Sequence, residues 1–375
     1  MTGSAQLNQN FAELEDPRRR EGTYPLINFI FITLCAVISG ADDFVAIARF
    51  AEKRKAWLAK YLDLSAGIPS HDRFNAILAA IKPAEFERCF LSWIQSVCAL
   101  VDDQIIPIDG KTLRRSYDAA DSKAAIHMVS AWSNKNNLTL AQVVVDAKSN
   151  EITAIPKLLE ILEISGCFVT IDAMGCQTEI AEQIVAGGGH FCLAVKDNQP
   201  TLFGGIMDHF VDHLEDDFAR TEVSRYESRE RGHGREEQRS YYVCPVPVNL
   251  PDRERWKNLQ AIGMTVNHTT QVRTGKETSE VRVYILDKKV SGKKFAELVR
   301  SHWGIENRLH WQLDVTFGED QCRVRKQHGD VNLSTVRRTA LSLLKRDHRA
   351  KCGVKNRRLT AAWDEDYLQQ VVFGM

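Results

Sequence analysis

The chain has 375 residues, 44% hydrophobic and 26% charged, with a formal net charge of zero. This composition is ordinary for a globular protein and the length predicts roughly two or three domains. It excludes a protein that holds polyanions by bulk charge. Nine cysteines, none in a CxxC pair, argue against a zinc site or disulfide framework and for a reducing, cytoplasmic setting. The polar N-terminus has no signal-peptide pattern. The apolar run Leu26–Ala41 is too short to cross a bilayer and is interrupted by Asn28, Thr33, Ser39 and Gly40, so no membrane partner is expected. Charge is unevenly distributed. Residues 150–218 hold 12 Asp/Glu against 2 Lys/Arg, whereas residues 291–358 hold 16 Lys/Arg against 7 Asp/Glu. A basic segment of that kind can grip phosphate locally, because such contacts are short-range.

Residues 1–20 are polar, end in Asp16-Pro17-Arg18-Arg19-Arg20, and read as a mobile or loosely docked arm. From about 24 to 100 the spacing is helical: Phe44, Ile47, Ala48 and Ala51 share a face, as do Phe86, Phe90, Trp93 and Val97. Ser70 is placed to cap a short helix through Ile81, and Pro83 to start the next. Residues 1–100 are therefore read as an all-helical N-terminal domain, with Arg49, Lys53, Arg54 and Lys55 on or near one face. Strands follow at Ile105–Ile108, Ala125–Ser133 and Leu138–Val145, then a helix at Ile155–Ile164, a strand at Cys167–Ile171, a helix at Thr178–Val185 and a strand at Phe191–Val195. The order β-β-β-α-β-α-β predicts an α/β core, one mixed five-stranded sheet flanked by helices. After a helix near 201–214 and the charged stretch Arg220–Arg239, three β-like segments (Ser240–Val246, Gln260–Asn267, Glu280–Leu286) predict a β-rich insertion. Helical spacing resumes at Lys293 to about Phe317 and at Asn332–Arg346. The expected domains are 1–100, a core of 101–218 and 291–350, the insertion 219–290, and a tail 351–375.

Phosphodiester chemistry on DNA commonly uses two divalent cations about 3.5–4 Å apart, and Mg²⁺ demands converging oxygen ligands. Asp109 (Ile-Asp-Gly-Lys) and Asp172 (Ile-Asp-Ala-Met) each follow an apolar strand directly. If those strands are neighbours, the two carboxylates lie side by side at one sheet edge, a repulsive arrangement unless a cation sits between them. The matched pair favours that reading over two helix or turn caps. For a third ligand, Glu297, Glu306, Asp314, Glu319 and Asp320 are all candidates. Glu306 shares a helix face with His302 and His310, which a solvated, salt-bridged face would explain equally well.

The strings Pro107–Lys111 (PIDGK), Lys148–Ile152 (KSNEI), Thr170–Gln177 (TIDAMGCQ), Lys196–Gln199 (KDNQ) and His302–Val315 (HWGIENRLHWQLDV) resemble those of bacterial insertion-sequence DDE transposases. The subgroup of the H-repeat-associated proteins is the most similar. The likeness runs from the helical N-terminus to Ala361-Ala362-Trp363-Asp364. It implies an RNase H-like core in which Asp109, Asp172 and Glu306 match the family's Asp, Asp and Glu, the 134-residue gap before Glu306 accommodating the β-rich insertion. It also implies Mg²⁺ or Mn²⁺, as two ions, and double-stranded DNA (element ends and target) as partner of a homodimer. One departure stands out. The wider group places an arginine four residues before the glutamate and a lysine after it, where this chain has His302 and Leu313. The phosphate-clamping role then falls to Arg300 or His302.

Further expected DNA contacts are Lys111, Arg114 and Arg115 after the first aspartate, for which a solvated turn is the alternative. Lys196 and Gln199 beyond the fifth strand, Asn307 beside the glutamate, and Arg323 and Arg325 in the basic segment complete the set. Arg229-Glu-Arg-Gly-His-Gly-Arg235 reads as an exposed flexible loop, with a DNA-end contact as the alternative. The N-terminal helices of residues 1–100 are expected to bind element ends or mediate dimerisation. Trp303 and Trp311 read as core. The density of basic residues from Arg337 to Arg358 suggests a phosphate-tracking surface. The leading function is metal-dependent hydrolysis at element ends followed by strand transfer. A stand-alone nuclease on the same core and an inactive DNA-binding descendant are the alternatives.

Overall fold

The computed structural model describes residues 3–20, 22–97, 105–113, 116, 125–145, 150–232, 234–347 and 349–374, with backbone alone at 3–6 and 95–97. In chain order the elements are α1 (Gly3–Asn10), α2 (Leu26–Ile38), α3 (Phe44–Lys53), α4 (Lys55–Leu58), α5 (His71–Ala80), α6 (Pro83–Val97), β1 (Ile105–Leu113), β2 (Ile126–Ser133), β3 (Leu138–Val145), α7 (Glu151–Ile161), β4 (Phe168–Ile171), α8 (Thr178–Ala186), β5 (His190–Val195) and α9 (Pro200–Glu215). Then come β6 (Ser224–Gly232), β7 (Arg235–Pro245), β8 (Ala261–Gln271), β9 (Glu277–Leu286), α10 (Gly292–Ile305), a π-helical turn (Glu306–His310), α11 (Trp311–Val315), α12 (Gly329–Arg346), α13 (Val354–Trp363) and α14 (Glu365–Phe373). The strands are ordered β3-β2-β1-β4-β5-β9-β8-β7-β6 in one mixed sheet. The chain divides into two units. One comprises Met1–Asp102, Gly110–Lys148 and Glu306–Met375, the other Asp103–Asp109 and Ser149–Ile305.

The first unit is built around two buried helices of opposite character. Every residue of α2 from Asn28 to Ile38 is buried, as an apolar 13-residue helix without a polar face requires. It is a core helix, and no helix among the described residues is long and apolar enough to cross a membrane. In α12 every residue from Gly329 to Leu344 is buried although the helix is rich in polar groups. Such burial is tolerable only when those groups are bonded. Asn332 donates to the carbonyls of Leu78 (2.7 Å) and Ile81 (2.9 Å), and Gln142 donates to Thr335 (2.6 Å). Arg337 donates to the Asp42 carbonyl, and Arg338 pairs with Glu319. The phosphate-tracking surface expected from Arg337 to Arg358 is corrected here: Arg337, Arg338 and Arg358 are internal, Arg358 reaching the Val37 carbonyl and Asp42. Arg349, Lys351 and Lys355 do face solvent. The N-terminal arm is docked, with Leu7, Phe11 and Leu14 buried and the Phe11 ring edge-on to Phe90 at 4.9 Å. Ser70 does precede α5, but its side chain makes no capping bond.

Helix α6 is pinned to β3 by Glu87, whose Oε1 accepts from the Gln142 N–H at 2.7 Å. Burial pushes the Glu87 carboxyl up to about 8, against the Gln142 N–H and the Arg338 charge, which favour its ionised form. A carboxyl whose folded pKa exceeds its unfolded value takes up a proton on folding, so the stability it contributes falls as pH rises from about 4.5 to about 8. Glu87→Gln keeps the acceptor and removes the charge. It should flatten that loss, raising Tm at pH 8 by at least about 2 °C relative to the parent and by less at pH 5, as checked by thermal melts across pH.

In the second unit, β1 and β4 pair in parallel (Ile105↔Phe168 to Ile108↔Ile171), and β4 pairs in parallel with β5. The expected five strands are present, with β2 and β3 antiparallel in the first unit. Among the described residues the sheet has nine strands, however, because the insertion is not separate: β9 pairs antiparallel with β5, from Cys192↔Leu286 to Val195↔Val283. Of the predicted loop at Arg229–Arg235, residues 229–232 close β6 and Arg235 opens β7, with Arg231 paired to Glu236 and Arg239 to Glu230 across the strands. Alternating charge is a strand pattern when opposite signs face each other. The half of this meander nearer β5 packs under α10 through Tyr241, Val243, Tyr284, Phe295 and Leu298. At Gly263 an added Cβ would stand 2.5 Å from the Phe295 ring. Gly263→Ala should therefore cost about 1–3 kcal/mol by overpacking, with partial recovery in Gly263→Ala/Phe295→Leu, measured by denaturant titration.

Candidate metal centre

The register of β1 on β4 sets the site. Ile108 lies opposite Ile171, so Asp109 and Asp172 are the next residues at the same level of two adjacent parallel strands. Strand β1 continues to Leu113, so Asp109 stands within it and not at its end. Asp172 directly follows β4 and opens a tight turn, its Oδ1 accepting from the N–H groups of Met174 (3.1 Å) and Gly175 (3.4 Å). Gly175 is required there, since a Cβ would meet Ile171 at 2.3 Å. Two side chains from beyond β5 brace the turn: Asn198 donates to the Ala173 carbonyl (2.6 Å) and Gln199 to that of Cys176 (3.0 Å). Gln199 is buried, whereas Lys196 is exposed.

Burial raises the Asp172 carboxyl above its ordinary range, and the negative charges of Glu151 and Asp109 raise it further. The Gly175 N–H and His302 act the other way. Such accumulated negative potential is what a bound cation offsets. His302, in the last turn of α10, lies 3.3 Å from the Thr170 hydroxyl through Nδ1. Burial lowers its pKa, while Asp109 and Asp172 pull it upward. Arg300 is exposed and ion-paired with Glu230 of β6 at 2.9 Å. Trp303, expected in the core, is 45% exposed with Arg282 over its ring.

In the first unit Glu306 opens the π turn, and its Oε2 lies 3.1 Å from Nδ1 of the buried His310. Single π turns frequently mark functional sites. Of the other third-ligand candidates, Glu297 pairs with Lys294 in the second unit. Asp314, Glu319 and Asp320 instead surround Lys111. Lys111 is buried among these acids, not presented to solvent. Asn307 and Arg323 are exposed and Arg325 half-buried, while Arg114 and Arg115 lie outside the described residues. Trp311, expected in the core, is 51% exposed. Sequence reasoning leaves Glu151 out of the site although it lies within a quoted motif, and it places His310 on the Glu306 face by helix spacing without giving it a role. All eight cysteines among the described residues are unbridged, as their spacing predicts.

A family model described as the Transposase DDE domain matches residues 93–343, and one described as DDE_Tnp_1-associated matches residues 8–94. The chain belongs to the DDE transposase family. It is 39% identical over 354 residues to the "H repeat-associated putative transposase YhhI" of Escherichia coli strain K12, covering 94% of this chain and 93% of that protein. It is 38% identical over 351 residues to the "Putative transposase YncI" of E. coli O157:H7, covering 93% and 89% respectively. A piggyBac transposase in a synaptic complex with hairpin DNA aligns with a TM-score of 0.40 at 9% identity, over 98% of this chain and 78% of that one. That likeness is too distant to inform the site. For this DDE transposase, Asp109 and Asp172 share one unit with His302, and Glu306 shares the other with His310. The two aspartates with an imidazole beside them in that one unit suit a hard or borderline divalent ion.

Proposed function

We propose that this protein is an insertion-sequence transposase that hydrolyses a phosphodiester at its element ends, freeing a 3′-OH that then attacks a target phosphate by transesterification. Asp109, Asp172 and Glu306 are the carboxylates that hold Mg²⁺ or Mn²⁺, two ions serving the reaction. The observation that carries this reading is the pair Asp109 and Asp172 at one level of adjacent parallel strands, in a chain of the DDE family. The raised Asp172 carboxyl adds to it, because a divalent cation would relieve the crowding of acids there. When bound, such ions activate the attacking oxygen and stabilise the leaving one.

The protein's own part is positioning, the main source of catalysis when the metal carries the charge. The Asp172 turn, braced by Asn198 and Gln199, holds its carboxylate in one orientation. His302 takes the place of the arginine usual in the wider group and, bonded to Thr170, aims an imidazole beside the two aspartates. Lys196, Arg300, Asn307, Arg323 and Arg325 are assigned to the backbone of double-stranded DNA. The parallel trio β1, β4 and β5 beside the antiparallel β2–β3 pair supports an RNase H-like core carrying β6–β9 as an insertion. A cytoplasmic homodimer is the working form.

Asp109→Ala, Asp172→Ala and Glu306→Ala should each lower cleavage of element-end DNA by more than about 100-fold, beyond what losing an outer-sphere metal partner costs. DNA affinity, followed by fluorescence anisotropy, should stay within a few fold. Nicking retained by any one variant removes that residue from the triad. Strand transfer from pre-cleaved ends distinguishes a transposase from a nuclease that only cuts.

A further inference from the structure

We propose that Lys111 is a positioning residue that fixes the segment bearing Glu306, not a contact to nucleic acid; this rests on Glu306 being a metal-holding carboxylate. The Lys111 side chain is only 7% exposed, too little to meet a phosphate, and its Nζ sits against Asp314 with Asp320 at 3.6 Å and Glu319 at 3.9 Å. All three acids come from the short stretch that follows the π turn: Asp314 from α11, Glu319 and Asp320 from the single helical turn Glu319–Gln321. Glu319 is held in turn by Ser334 (2.6 Å) and Arg338 (3.3 Å) of the internal helix α12. One hydrogen bond to Asp314 and ion pairs to Asp320 and Glu319 thus tie Lys111 of β1 to residues 314–320, and Glu319 is in turn bonded to α12.

Three carboxylates in one partly buried place repel each other, so the stretch keeps this path only while a cation stands among them. Glu306 lies eight residues before Asp314, and its own side chain is 57% exposed. A long exposed carboxylate takes its position from the backbone beneath it. That backbone is also held from the other side, where Lys345 donates to the Arg308 carbonyl and Arg308 to the Asn134 carbonyl (3.3 Å). Lys111 anchors the downstream end of the same turn.

The test uses the full chain as Lys111→Met and Lys111→Arg. Asp314→Asn serves as a second break of the contact, its parent side chain being 34% exposed and so tolerant of change should Lys111→Met fail to fold. Single-turnover cleavage is followed against Mn²⁺ concentration, Mn²⁺ binding by calorimetry, and DNA binding against salt. In Lys111→Met and Asp314→Asn the half-saturating Mn²⁺ should rise about 10- to 100-fold, with DNA affinity unchanged and Lys111→Arg recovering much of the loss. An unchanged Mn²⁺ dependence in a folded variant overturns the proposal. So does weaker DNA binding in Lys111→Met with a salt slope smaller by about one, the mark of a lost phosphate contact. If the parent binds Mn²⁺ but cuts no DNA, the proposed function fails while the Lys111 inference is still decided by the Mn²⁺ isotherms.

Discussion

Parallel pairing leaves little freedom about which residues of two strands stand level, and the pairing of β1 with β4 is the constraint from which the site follows. Once Ile108 is opposite Ile171, the residues after them come out level. Both are aspartates. The fold thus holds two negative charges on neighbouring strands, with Glu151 adding to the potential at Asp172. The Gly175 N–H and the nearby His302 ring offset part of that cost at Asp172, while Asn198 and Gln199 fix the backbone of its turn. An arrangement unfavourable for an isolated protein is a serviceable one for a protein meant to take up cations.

The two aspartates could be read directly from the chain because their signal is local: an apolar run, an acid, then a small residue. The strand order could be followed for the same reason, since β1 to β5 and their helices each carry their own periodicity. Glu306 carries no such signal. Five acids crowd the stretch from 297 to 320, and what separates them is tertiary. Lys111, 203 positions from Asp314, gathers three of them. Nothing near Asp314 in the chain announces that lysine.

The misreadings have the same origin. Arg338 and Arg349 look alike in sequence, but one is internal because Glu319 and Ser334 meet it, and the other faces water. The charged stretch before β7 reads as a loop because alternating charge with two glycines suits an exposed loop as well as a strand, and only the facing strand, where Glu236 meets Arg231, decides between them. That β9 would join β5, making the insertion continuous with the sheet, depends on a pairing between segments about ninety positions apart, and hydrophobic spacing within either segment does not encode it.

The order of the sheet ends at β6, and that strand is exposed over most of its length. An outermost strand offers its backbone N–H and C=O groups to any passing chain and can template fibrous self-association. Arg225, Glu227, Arg229, Glu230 and Arg231 occupy β6 where a more apolar sequence would pair readily with a neighbour. Lysine, arginine and glutamate on such a rim act as gatekeepers against aggregation. The same charges that disguised this strand as a loop thus have a colloidal role: they let a large sheet keep an open side in a crowded solution without growing.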